Sequence, residues 1–585
     1  MDLGEHVPGG SRLPQWLLGI GERILGFHEF NVAHSKIEDE QEAGSTENFF
    51  SLACKHLPLN YELDGLENIP QEGPCVIVSN HPHGMSDGLM LGDIVMKRRS
   101  DIRIVVNEFL NCVRGMRPYL ITVDVYGGDE ARRANMAGMR EMLKWLREGH
   151  CLILFPSGSA ASWSAEDGRV IDDPWQTNMA AIIRKTEATV VPMHFSGENG
   201  PLFQLVTRLC KEKRSALLAR EIKRDRKTLH RVRVGKAIPA NRIAMLETDD
   251  ALIDFLRLSS MMQRYPAEPA NKGVTFVPRE MAPIDAPVDP DILQAELDTL
   301  DPAEHLLYTH SSTGLQIYAA QGKLIPSMLK EIGVQREITF RAVGEGSGTA
   351  CDTDEYDLFY DHLIMWDPAK RCIAGAYRMG RTDEIVKARG VNGIYNSEFF
   401  TLGNVFVNHV KNGLEMGRAF ITAAYQKHPA SLDTLWMGIG RFVIKYPQYR
   451  LLYGTVSVSS DYSVRSRTLI YEYLKCHCMN HRLAEHVEAK TPPKGMDLLS
   501  EDARLLPTGL ADLRLLSAMI SDMEPDGRSI PVLLRQYLRL GGEMISFNVD
   551  DEFGSTLDCL VLVDLTKAPD RLMTRYCGAP LKSSC

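Results

Sequence analysis

Short apolar runs and polar turns alternate through the first half of the chain. Four of these runs have the length and composition of buried β-strands, and they lie at Cys75–Ser79, Ile102–Val106, Cys151–Phe155 and Thr189–Met193. Between the second and third runs, apolar residues recur at helical spacing over Asp129–Glu148, and Gly149 follows as a stop signal. This strand–helix–strand alternation predicts an α/β domain with a largely parallel sheet.

From Gln316 the pattern begins again with a different arrangement. Further strands are predicted at His362–Trp366, Cys372–Tyr377, Tyr453–Ser459 and Cys559–Leu565. A helix is predicted over Asp433–Ile444. The second half is therefore also a mixture of helices and strands, with no repeat of the first.

The two halves are separated by a stretch rich in proline and acidic residues, which is typical of a linker with a short helix. The predicted organisation is an N-terminal segment (1–50), a first domain (51–263), a linker (264–308) and a second domain (309–585). Within the N-terminal segment, Leu13–Phe27 is apolar around a Glu-Arg pair. It is either an interfacial helix, with Trp16 at the headgroup level, or a helix that packs on the domain.

Composition narrows the functional classes. A length of 585 residues favours two domains or three, and a net charge of −10 argues against nucleic acid as the partner of the whole chain. No secretory pattern opens the chain, and the twelve cysteines are scattered, so free thiols in a reducing cytoplasm are expected. No apolar run reaches the ~18 residues of a spanning helix, so the protein is expected to be at most peripheral to a membrane.

Metal binding is not predicted. The Cys476-His477-Cys478 cluster has no second ligand pair at a distance. The acidic residues that begin at Asp352 do not follow the ligand order of an EF-hand, because Leu363 stands at the twelfth position, where a bidentate Glu is needed.

The turn after the first strand carries the clearest candidate chemistry. His81 and Asp87 follow Asn80 within one turn, and a carboxylate that orients an imidazole is suited to general-base work. His83 is an alternative base, because the spacing leaves its pairing with Asp87 open. The simpler alternative is that Asp87 or Ser86 only caps the helix that follows.

The turn after the third strand is the second candidate. It consists of Phe155, Pro156, Ser157, Gly158 and Ser159. Proline and glycine directly after an apolar strand make a tight turn with exposed backbone N–H groups, which can hold an oxyanion or a polar headgroup. The alternative is a turn that only connects two elements.

These blocks resemble the glycerolipid acyltransferase family, in Asn80-His81, Phe155-Pro156-x-Gly158 and the Pro192 strand end. Three departures are evident. Five residues rather than four separate His81 from Asp87, and Ser157 stands where the family has Glu. The residues at 121–128, which correspond to the family's phosphate-gripping Arg block, include no Arg. Because Arg is the usual bidentate grip for phosphate, its loss favours an acceptor without a phosphomonoester. The alternative is that Arg132 or Arg133 reaches back to supply the guanidinium. The form of the motif in this chain, Asn-His-Pro-x-Gly-x-x-Asp-Gly with Asp-x-x-Gly-Gly ahead of the predicted helix, looks like the branch of the family that acylates amino-acid lipids.

A basic stretch runs from Gln204 to Arg242. It is either a solvated helix face or a surface that attracts anionic lipid headgroups or an acidic acyl carrier protein. Few aromatic residues interrupt it, which argues against binding of single-stranded nucleic acid.

The second half resembles acyl-homoserine-lactone synthases and ornithine N-acyltransferases of the GNAT superfamily. The residues that carry this resemblance are Arg341, Asp354, Asp357, Arg378, Glu415 and Arg418. It implies a mixed sheet splayed to admit an acyl thioester, with the acids binding the acceptor's cationic groups or accepting its proton. The superfamily's pyrophosphate loop is matched only weakly, by 435–440, which favours an acyl carrier protein thioester over acyl-coenzyme A.

Together the two halves resemble bifunctional ornithine lipid synthases. The resemblance implies that the second domain joins a 3-hydroxyacyl group to an amino acid such as ornithine. The first domain would then acylate the 3-hydroxyl of this lyso-aminolipid, with His81 as base. No tightly bound cofactor is expected, and the expected location is the inner face of a bacterial cytoplasmic membrane. Two rival interpretations are a lysophospholipid O-acyltransferase with a non-catalytic second domain and a haemolysin-like membrane-binding protein without catalysis.

Overall fold

The computed structural model describes residues 27–123, 129–209, 214–270, 281–428, 430–550 and 555–581. The chain forms two compact units, of which one extends to Ala267 and includes Leu498–Arg528, and the other comprises Glu268–Asp497 and continues from Ser529. Residues 13–26 of the predicted N-terminal helix and 124–128 of the block without Arg lie outside the described residues. No helix within the described residues combines the length and the apolar character needed to cross a bilayer.

The first unit is built on a seven-stranded sheet. Its strands, with a separate two-stranded hairpin (β6 and β7), are β1 Asn60–Asp64, β2 Cys75–Ser79, β3 Ile102–Asn107, β4 Leu120–Val123, β5 Cys151–Leu154, β6 Ser162–Ser164, β7 Arg169–Ile171, β8 Thr189–Phe195 and β9 Leu229–Val234. The order across the sheet is β1-β9-β8-β2-β5-β3-β4, and every pairing is parallel except β8 with β9. The four predicted strands and the largely parallel sheet are confirmed.

Nine helices, which surround this sheet, precede residue 267 in the described part of the chain. They are α1 Phe27–Glu42, α2 Phe49–His56, α3 Met85–Met96, α4 Asp129–Arg147, α5 Asn178–Thr186, α6 Pro201–Leu209, α7 Arg214–Asp225, α8 Ala240–Ile243 and α9 Asp249–Met261. The central strand β2 is buried along its whole length, because it is apolar and flanked by β8 and β5. Phe30 and Ile37 of α1 join the same core, so the described part of the predicted N-terminal segment packs on this unit.

The second unit contains an eight-stranded sheet. The strands of this unit, with β14 and β17 as a separate pair, are β10 Leu306–Thr309, β11 Gln316–Gln321, β12 Asp361–Asp367, β13 Cys372–Arg381, β14 Phe400–Leu402, β15 Gly413–Ile421, β16 Leu451–Val458, β17 Val487–Ala489, β18 Glu543–Asp550 and β19 Thr556–Asp564. The order is β10-β11-β12-β13-β15-β16-β19-β18. The strands predicted from apolar runs in this half are confirmed as β12, β13, β16 and β19.

The pairing of β15 with β16 gives this sheet its special feature. It is parallel, whereas the other pairings are antiparallel, and it joins only Gly413–Glu415 with Leu451–Tyr453. Beyond these residues β15 stays paired with β13 and β16 with β19. The two strands therefore separate and leave an opening in the middle of the sheet, as the resemblance to the GNAT superfamily implies.

Helices cover the second sheet. Before residue 498 they are α10 Pro290–Asp298, α11 Pro302–His305, α12 Pro326–Arg341, α13 Thr382–Arg389, α14 Asn404–His409, α15 Ala423–Gln426, α16 Ser431–Lys445, α17 Val464–His477 and α18 His481–Ala484. Helix α16 confirms the predicted helix. Helix α10 falls within the predicted linker, yet Leu293 and Leu297 are buried in the core of this unit. Their regular spacing, rather than the surrounding prolines, determines the local structure.

Residues 498–528 differ most from the predicted organisation. They form α19 Ser500–Ala503, α20 Leu506–Gly509 and α21 Leu513–Met523, and they belong to the first unit. Tyr265 donates to Asp502 at 3.0 Å and Arg264 lies 3.0 Å from Glu501, which joins this return segment to the end of the first half. The chain then re-enters the second unit with α22 Val532–Arg539 and α23 Asp570–Cys577.

Candidate active sites

The turn between β2 and α3 places an imidazole against a carboxylate. His81 Nδ1 lies 3.1 Å from Oδ2 of Asp87, although five residues separate them. The same carboxylate oxygen accepts the backbone N–H groups of His83 (2.8 Å) and Gly84 (3.0 Å). Gly84 has a φ of +72°, which favours glycine and lets the chain turn tightly into α3. Asp87 is fully buried while His81 is 17% exposed, so the imidazole forms part of the surface of the site.

Two neighbouring groups fix the backbone of this turn. The side chain of Asn80 donates to the carbonyl of Phe195 (2.9 Å) and accepts from its N–H (2.7 Å), which ties the ends of β2 and β8 together. The N–H of His81 donates to Oδ1 of Asp172 at 3.1 Å. Burial raises the pKa of Asp172, which is also held by the indole N–H of Trp175. Sequence reasoning missed Asp172, because it lies 91 residues from His81 and in no motif.

The predicted turn after β5 lies beside His81. The Phe155 ring stacks on the imidazole, with ring centres 4.0 Å apart and planes inclined by 28°. Gly158, with φ +68°, donates its N–H to the carbonyl of Phe155 at 2.9 Å. The Ser157 hydroxyl donates to the carbonyl of Ser159 at 3.0 Å. The structure thus brings together the two turns that the sequence singles out.

Hydrogen bonds to residues outside this turn hold it in place. The hydroxyl of Ser159 donates to Asp173 at 2.6 Å, and the carbonyl of Pro156 accepts the N–H of Gln176 at 3.0 Å. Ala161, just beyond the turn, donates its N–H to the carbonyl of His81 at 2.8 Å. The backbone of both turns is therefore positioned before any substrate binds.

His83 has a different environment from His81. It is buried, its Nδ1 lies 3.3 Å from Asp225, and its Nε2 lies 3.0 Å from the carbonyl of Ser196. Since a carbonyl oxygen only accepts, Nε2 carries a proton. Burial alone would lower the pKa of His83, but the carboxylates of Asp225 and Asp87 outweigh it and raise the pKa to about 9. A buried, protonated imidazole with both nitrogens engaged is poorly placed to act as the alternative base.

The second unit holds a cluster of three arginines and three aspartates. Its members are Arg336, Arg378, Arg418, Asp352, Asp354 and Asp357. Asp357 is central: its Oδ1 lies 2.8 Å from Arg336 and 3.2 Å from Arg378. Burial would raise the pKa of Asp357, but these two guanidinium groups hold it well below its usual range. The cluster is balanced in formal charge.

Asp354 is the most exposed member of this cluster. It accepts Arg378 Nη1 at 2.5 Å, lies 3.7 Å from Arg418, and is 25% exposed, whereas Asp352 and Asp357 are buried. Arg418 lies 3.2 Å from Asp352 and has a φ of +49°, which is strained for a residue with a side chain. This strain sits at an irregularity in the β13–β15 register, close to the opening between β15 and β16. Such strained residues are common at functional sites.

An aromatic side chain closes one side of the cluster. The ring centre of Tyr395 lies 4.5 Å from the guanidinium carbon of Arg378 and 5.4 Å from that of Arg418. At these distances the ring makes cation–π interactions, which stabilise guanidinium groups that are removed from water. Arg336 and Tyr395 were not among the residues predicted for this site, because neither belongs to the motif set.

Glu415 is buried and fully engaged. Its carboxylate accepts the hydroxyl of Tyr360, the N–H of Tyr395 (3.0 Å), and both the N–H (2.6 Å) and the side-chain amide of Asn396. Burial raises the pKa of Glu415. Its position is that of a residue that holds the turn at 394–398 in place, rather than one that contacts an acceptor.

Arg341, like Glu415, is a predicted residue that the structure places outside this cluster. It ends α12, pairs with Glu337 through Nε, and donates to the carbonyl of Thr349 at 2.7 Å. Glu337 also accepts the N–H groups of Ser347 and Gly348, both at 2.9 Å. Arg341 and Glu337 together fix the glycine-rich loop that leads to the cluster.

The weak match to a pyrophosphate loop lies inside helix α16. A Cβ added to Gly438 would approach Ile317 to 2.6 Å, and one added to Gly440 would approach the carbonyl of Tyr576 to 2.3 Å. These glycines allow close packing of α16. The match therefore has a packing explanation, and the sequence at 435–440 is not a phosphate-binding turn. Within the described residues, no three or more His, Cys, Asp or Glu side chains are arranged to hold a metal ion.

Comparison with known proteins gives two domain matches on this chain. Residues 40–223 match the acyltransferase family model, and residues 335–437 match the acetyltransferase (GNAT) domain. These matches confirm the predicted fold class, an α/β acyltransferase-like domain followed by a mixed α/β GNAT-like domain.

Relatives of both kinds are found. The glycine N(alpha)-acyltransferase of Bacteroides thetaiotaomicron is 32% identical over 299 residues, which cover 48% of this chain and 86% of the relative. The lyso-glycine lipid O-acyltransferase of Phocaeicola vulgatus is 27% identical, covering 39% and 80%. The L-ornithine N(alpha)-acyltransferase of Brucella abortus is 23% identical, covering 44% and 84%. The prediction that the protein is an enzyme that transfers acyl groups is confirmed.

Proposed function

The chain belongs to the family of the Bacteroides glycine N(alpha)-acyltransferase, and from this we propose that it is a bifunctional enzyme that builds a diacylated aminolipid. The observation that carries the proposal is that relatives named as N-acyltransferases and relatives named as O-acyltransferases of a lyso-aminolipid both match this one chain. The second unit attaches a 3-hydroxyacyl group to the amine of an amino acid. The first unit then acylates the 3-hydroxyl of that lyso-lipid.

In the O-acyl transfer, His81 is the general base. With Nδ1 turned to Asp87, Nε2 is the nitrogen that takes the proton from the 3-hydroxyl of the lyso-lipid. The hydroxyl oxygen then attacks the thioester carbonyl, the C–S bond breaks, and the leaving thiolate takes the proton back from His81. Backbone N–H groups of the turn at 155–159, which stacks on His81 through Phe155, stabilise the developing oxyanion.

In the N-acyl transfer, Asp354 positions the acceptor. Among the three acids predicted for this role, Asp357 is held by Arg336 and Arg378, and Glu415 is buried among donors. Asp354 is the acid exposed to an incoming amine, and it binds the amine and receives its proton directly or through water. The uncharged amine attacks the carbonyl of an acyl thioester that enters where β15 and β16 separate. The C–N bond forms as the C–S bond breaks, and the leaving thiolate takes the second proton of the amine.

Glycine is the headgroup that we propose first. Three arginines balance three aspartates in the cluster, and Asp354, the exposed aspartate, is already assigned to the α-amine, so the cluster offers no second exposed carboxylate for the side-chain ammonium of ornithine. The relatives named for glycine are also more similar, at 32% and 29% identity, than those named for ornithine, at 23% to 25%. Ornithine remains the alternative headgroup, because relatives named for it match as well.

The acyl donor is proposed to be a thioester of acyl carrier protein, with acyl-coenzyme A as the alternative. The stretch that matched a coenzyme A pyrophosphate loop lies within helix α16, which supports this order of preference. Acceptor and product are amphiphiles, so the enzyme is proposed to work as a peripheral protein at the inner face of the cytoplasmic membrane.

Lipid mass spectrometry in a bacterial host that lacks aminolipids tests the proposal. Wild type is expected to produce a new diacyl aminolipid, and the mass of its headgroup identifies the amino acid. His81→Ala is expected to replace it with the monoacyl form, because hydroxyl activation is lost. Asp354→Asn is expected to reduce both forms at least about tenfold, since the amine loses its carboxylate partner.

Two matched variants control for loss of an ion pair elsewhere. His150→Ala removes a second histidine whose Nδ1 lies 3.1 Å from an aspartate, Asp101, and Asp433→Asn removes an aspartate paired with Arg575 at 2.7 Å. Both should leave the lipid profile unchanged. Undiminished diacyl aminolipid in His81→Ala would contradict the assignment of the base. Altered phospholipid acyl chains without any aminolipid would instead indicate a lysophospholipid O-acyltransferase.

A further inference from the structure

Four exposed apolar side chains lie on two neighbouring elements of the first unit. Helix α6 buries Phe203 and Thr207 on one face and exposes Leu202, Leu205 and Leu209, which are 39%, 54% and 79% exposed. The three leucines are spaced by three and four residues and therefore share a face of the helix. Helix α6 packs against the hairpin strand β6, whose Trp163 is 39% exposed. We call Trp163, Leu202, Leu205 and Leu209 the α6–β6 patch.

Such a cluster requires an explanation. Single exposed leucines are ordinary on protein surfaces, but neighbouring exposed apolar side chains mark a binding surface. Trp163 adds a residue type that is enriched at the boundary between lipid and water, because its ring is apolar and its N–H polar.

Cations accompany the patch. Arg208 is exposed on α6 itself, and Arg220 and Arg224 are exposed on α7. The two helices are joined at the start of α6, where Gly200 donates to Glu221 at 2.7 Å and Arg224 donates to the carbonyl of Glu198 at 2.8 Å. Apolar side chains with adjacent Lys or Arg are the composition of a surface that lies on an anionic bilayer.

The patch adjoins the His81 site. Strand β6 begins at Ser162, directly after Ala161, whose N–H donates to the carbonyl of His81 at 2.8 Å. Helix α6 begins five residues after Ser196, whose carbonyl accepts from His83. A lipid surface in contact with the patch would therefore lie within a few residues of the turn that carries the proposed base.

We propose that the α6–β6 patch docks the first unit on an anionic lipid bilayer, with the leucines and Trp163 inserted among the acyl chains and the arginines against the headgroups. The inference rests on the proposed function, because the acceptor of the His81 site would then be a lipid held in that surface. The proposal also locates the membrane contact on one helix and one strand, whereas the basic stretch between residues 204 and 242 does not show which part of it meets the lipid.

Vesicle co-sedimentation of the full chain tests the patch. Vesicles of phosphatidylcholine with phosphatidylglycerol are expected to bind wild type, and the triple variant Leu202→Ser, Leu205→Ser, Leu209→Ser to bind at least about tenfold more weakly. Leu324→Ser, which changes a leucine 46% exposed in the second unit, should bind like wild type. Lipids brominated in their acyl chains should quench the fluorescence of Trp163. The total quenching of tryptophan fluorescence should therefore be smaller in Trp163→Phe than in wild type.

The outcomes separate this inference from the proposed function. His81→Ala should bind vesicles as wild type does, and the triple leucine variant should retain O-acyl transfer to a short-chain acceptor in solution. Wild type that does not bind vesicles, equal binding by the triple variant, or no quenching of Trp163 would each overturn the patch, whatever His81→Ala does to lipids. A triple variant that changes only the molar mass in solution would show that a second copy of the chain covers the patch instead.

Discussion

His81 and His83 are two residues apart, yet the fold gives them opposite properties. One imidazole faces a single buried carboxylate and reaches the surface of the site. The other is enclosed between Asp225 and the Ser196 carbonyl, and its pKa rises to about 9. Because His83 is held protonated at neutral pH, it links α7 to the turn before α6 as a buried cation. Its contribution to stability should therefore depend on pH.

The sign of that dependence follows from the raised pKa. An unfolded histidine titrates near 6.5, so folding is favoured by proton binding to His83 below that pH, and the gain is lost as pH rises from 6.5 through 9. We expect thermal unfolding of wild type to show a decline over this window, on the order of 3 kcal/mol at most. His83→Gln, which cannot be protonated, should be less stable at pH 6 and show a flatter profile.

Differential scanning fluorimetry from pH 6 to pH 9 measures both profiles. His150→Gln, at a histidine one-third exposed, is the matched control and should follow the wild-type curve. Parallel curves for wild type and His83→Gln would mean that His83 does not bind a proton on folding.

At the scale of residues, the sequence predicts site residues that lie in one local motif and misses those that reach the site from distant parts of the chain. His81, Asp87 and Phe155 follow strand ends and so are visible as local motifs. Asp172 and Asp225 reach the same turns from 91 and 139 residues away along the chain, and neither lies in a motif. Their roles depend on how the sheet brings loops together, which a single sequence does not specify.

At the scale of elements, the opening between β15 and β16 is the feature most closely tied to the N-acyl transfer. Gly454 lies just after the last paired residue, Tyr453, and a Cβ there would come to 2.0 Å from the carbonyl of Met416. The two strands approach this closely only because residue 454 has no side chain. The opening thus begins from a fixed point.

Gly454→Ala should force β15 and β16 apart at the point where Gly454 now contacts the backbone of Met416. We expect a loss of about 1–3 kcal/mol in the stability of the second unit and a fall in monoacyl aminolipid, while O-acyl transfer to added lyso-lipid is kept. Gly417→Ala is the matched control, because a Cβ at that glycine of β15 has nothing within 4 Å. Equal N-acyl transfer by both variants would contradict the importance of this contact.

Strands were predicted well because their apolar runs are short, buried on both faces and bounded by turn residues, as in β2 and β5. Residues 435–440 show where such reasoning is limited. A glycine pattern can serve a phosphate or a close helix contact, and the packing of Gly438 on Ile317 decides for the second. The neighbours across the fold, rather than the spacing of the glycines, carry that information.

At the scale of the whole chain, the two candidate sites belong to units that are compact in themselves. The first has its own sheet, core and return segment at 498–528, and the second has its own sheet with the arginine–aspartate cluster. From the sequence alone the return segment is expected in the second half, because chain order gives no sign that residues after Asp497 rejoin the first unit. Each proposed reaction is therefore served by residues of one unit.

This independence leads to a prediction about the proposed intermediate. The monoacyl aminolipid made in the second unit is an amphiphile that can leave one molecule and reach the first unit of another through the membrane. Co-expression of His81→Ala with Asp354→Asn should then restore diacyl aminolipid, because one variant supplies the N-acyl step and the other the O-acyl step.

Lipid mass spectrometry of the co-expressing host measures this directly, against each variant alone and against the double variant on one chain. His81→Ala alone and the double variant should lack the diacyl form, and Asp354→Asn alone should make at most about a tenth of the wild-type amount. Restoration to a substantial fraction of wild type would mean that the lyso-lipid is released between the two steps. If co-expression restored none while both variants were present at wild-type levels, the intermediate would have to pass from one site to the other within a single molecule.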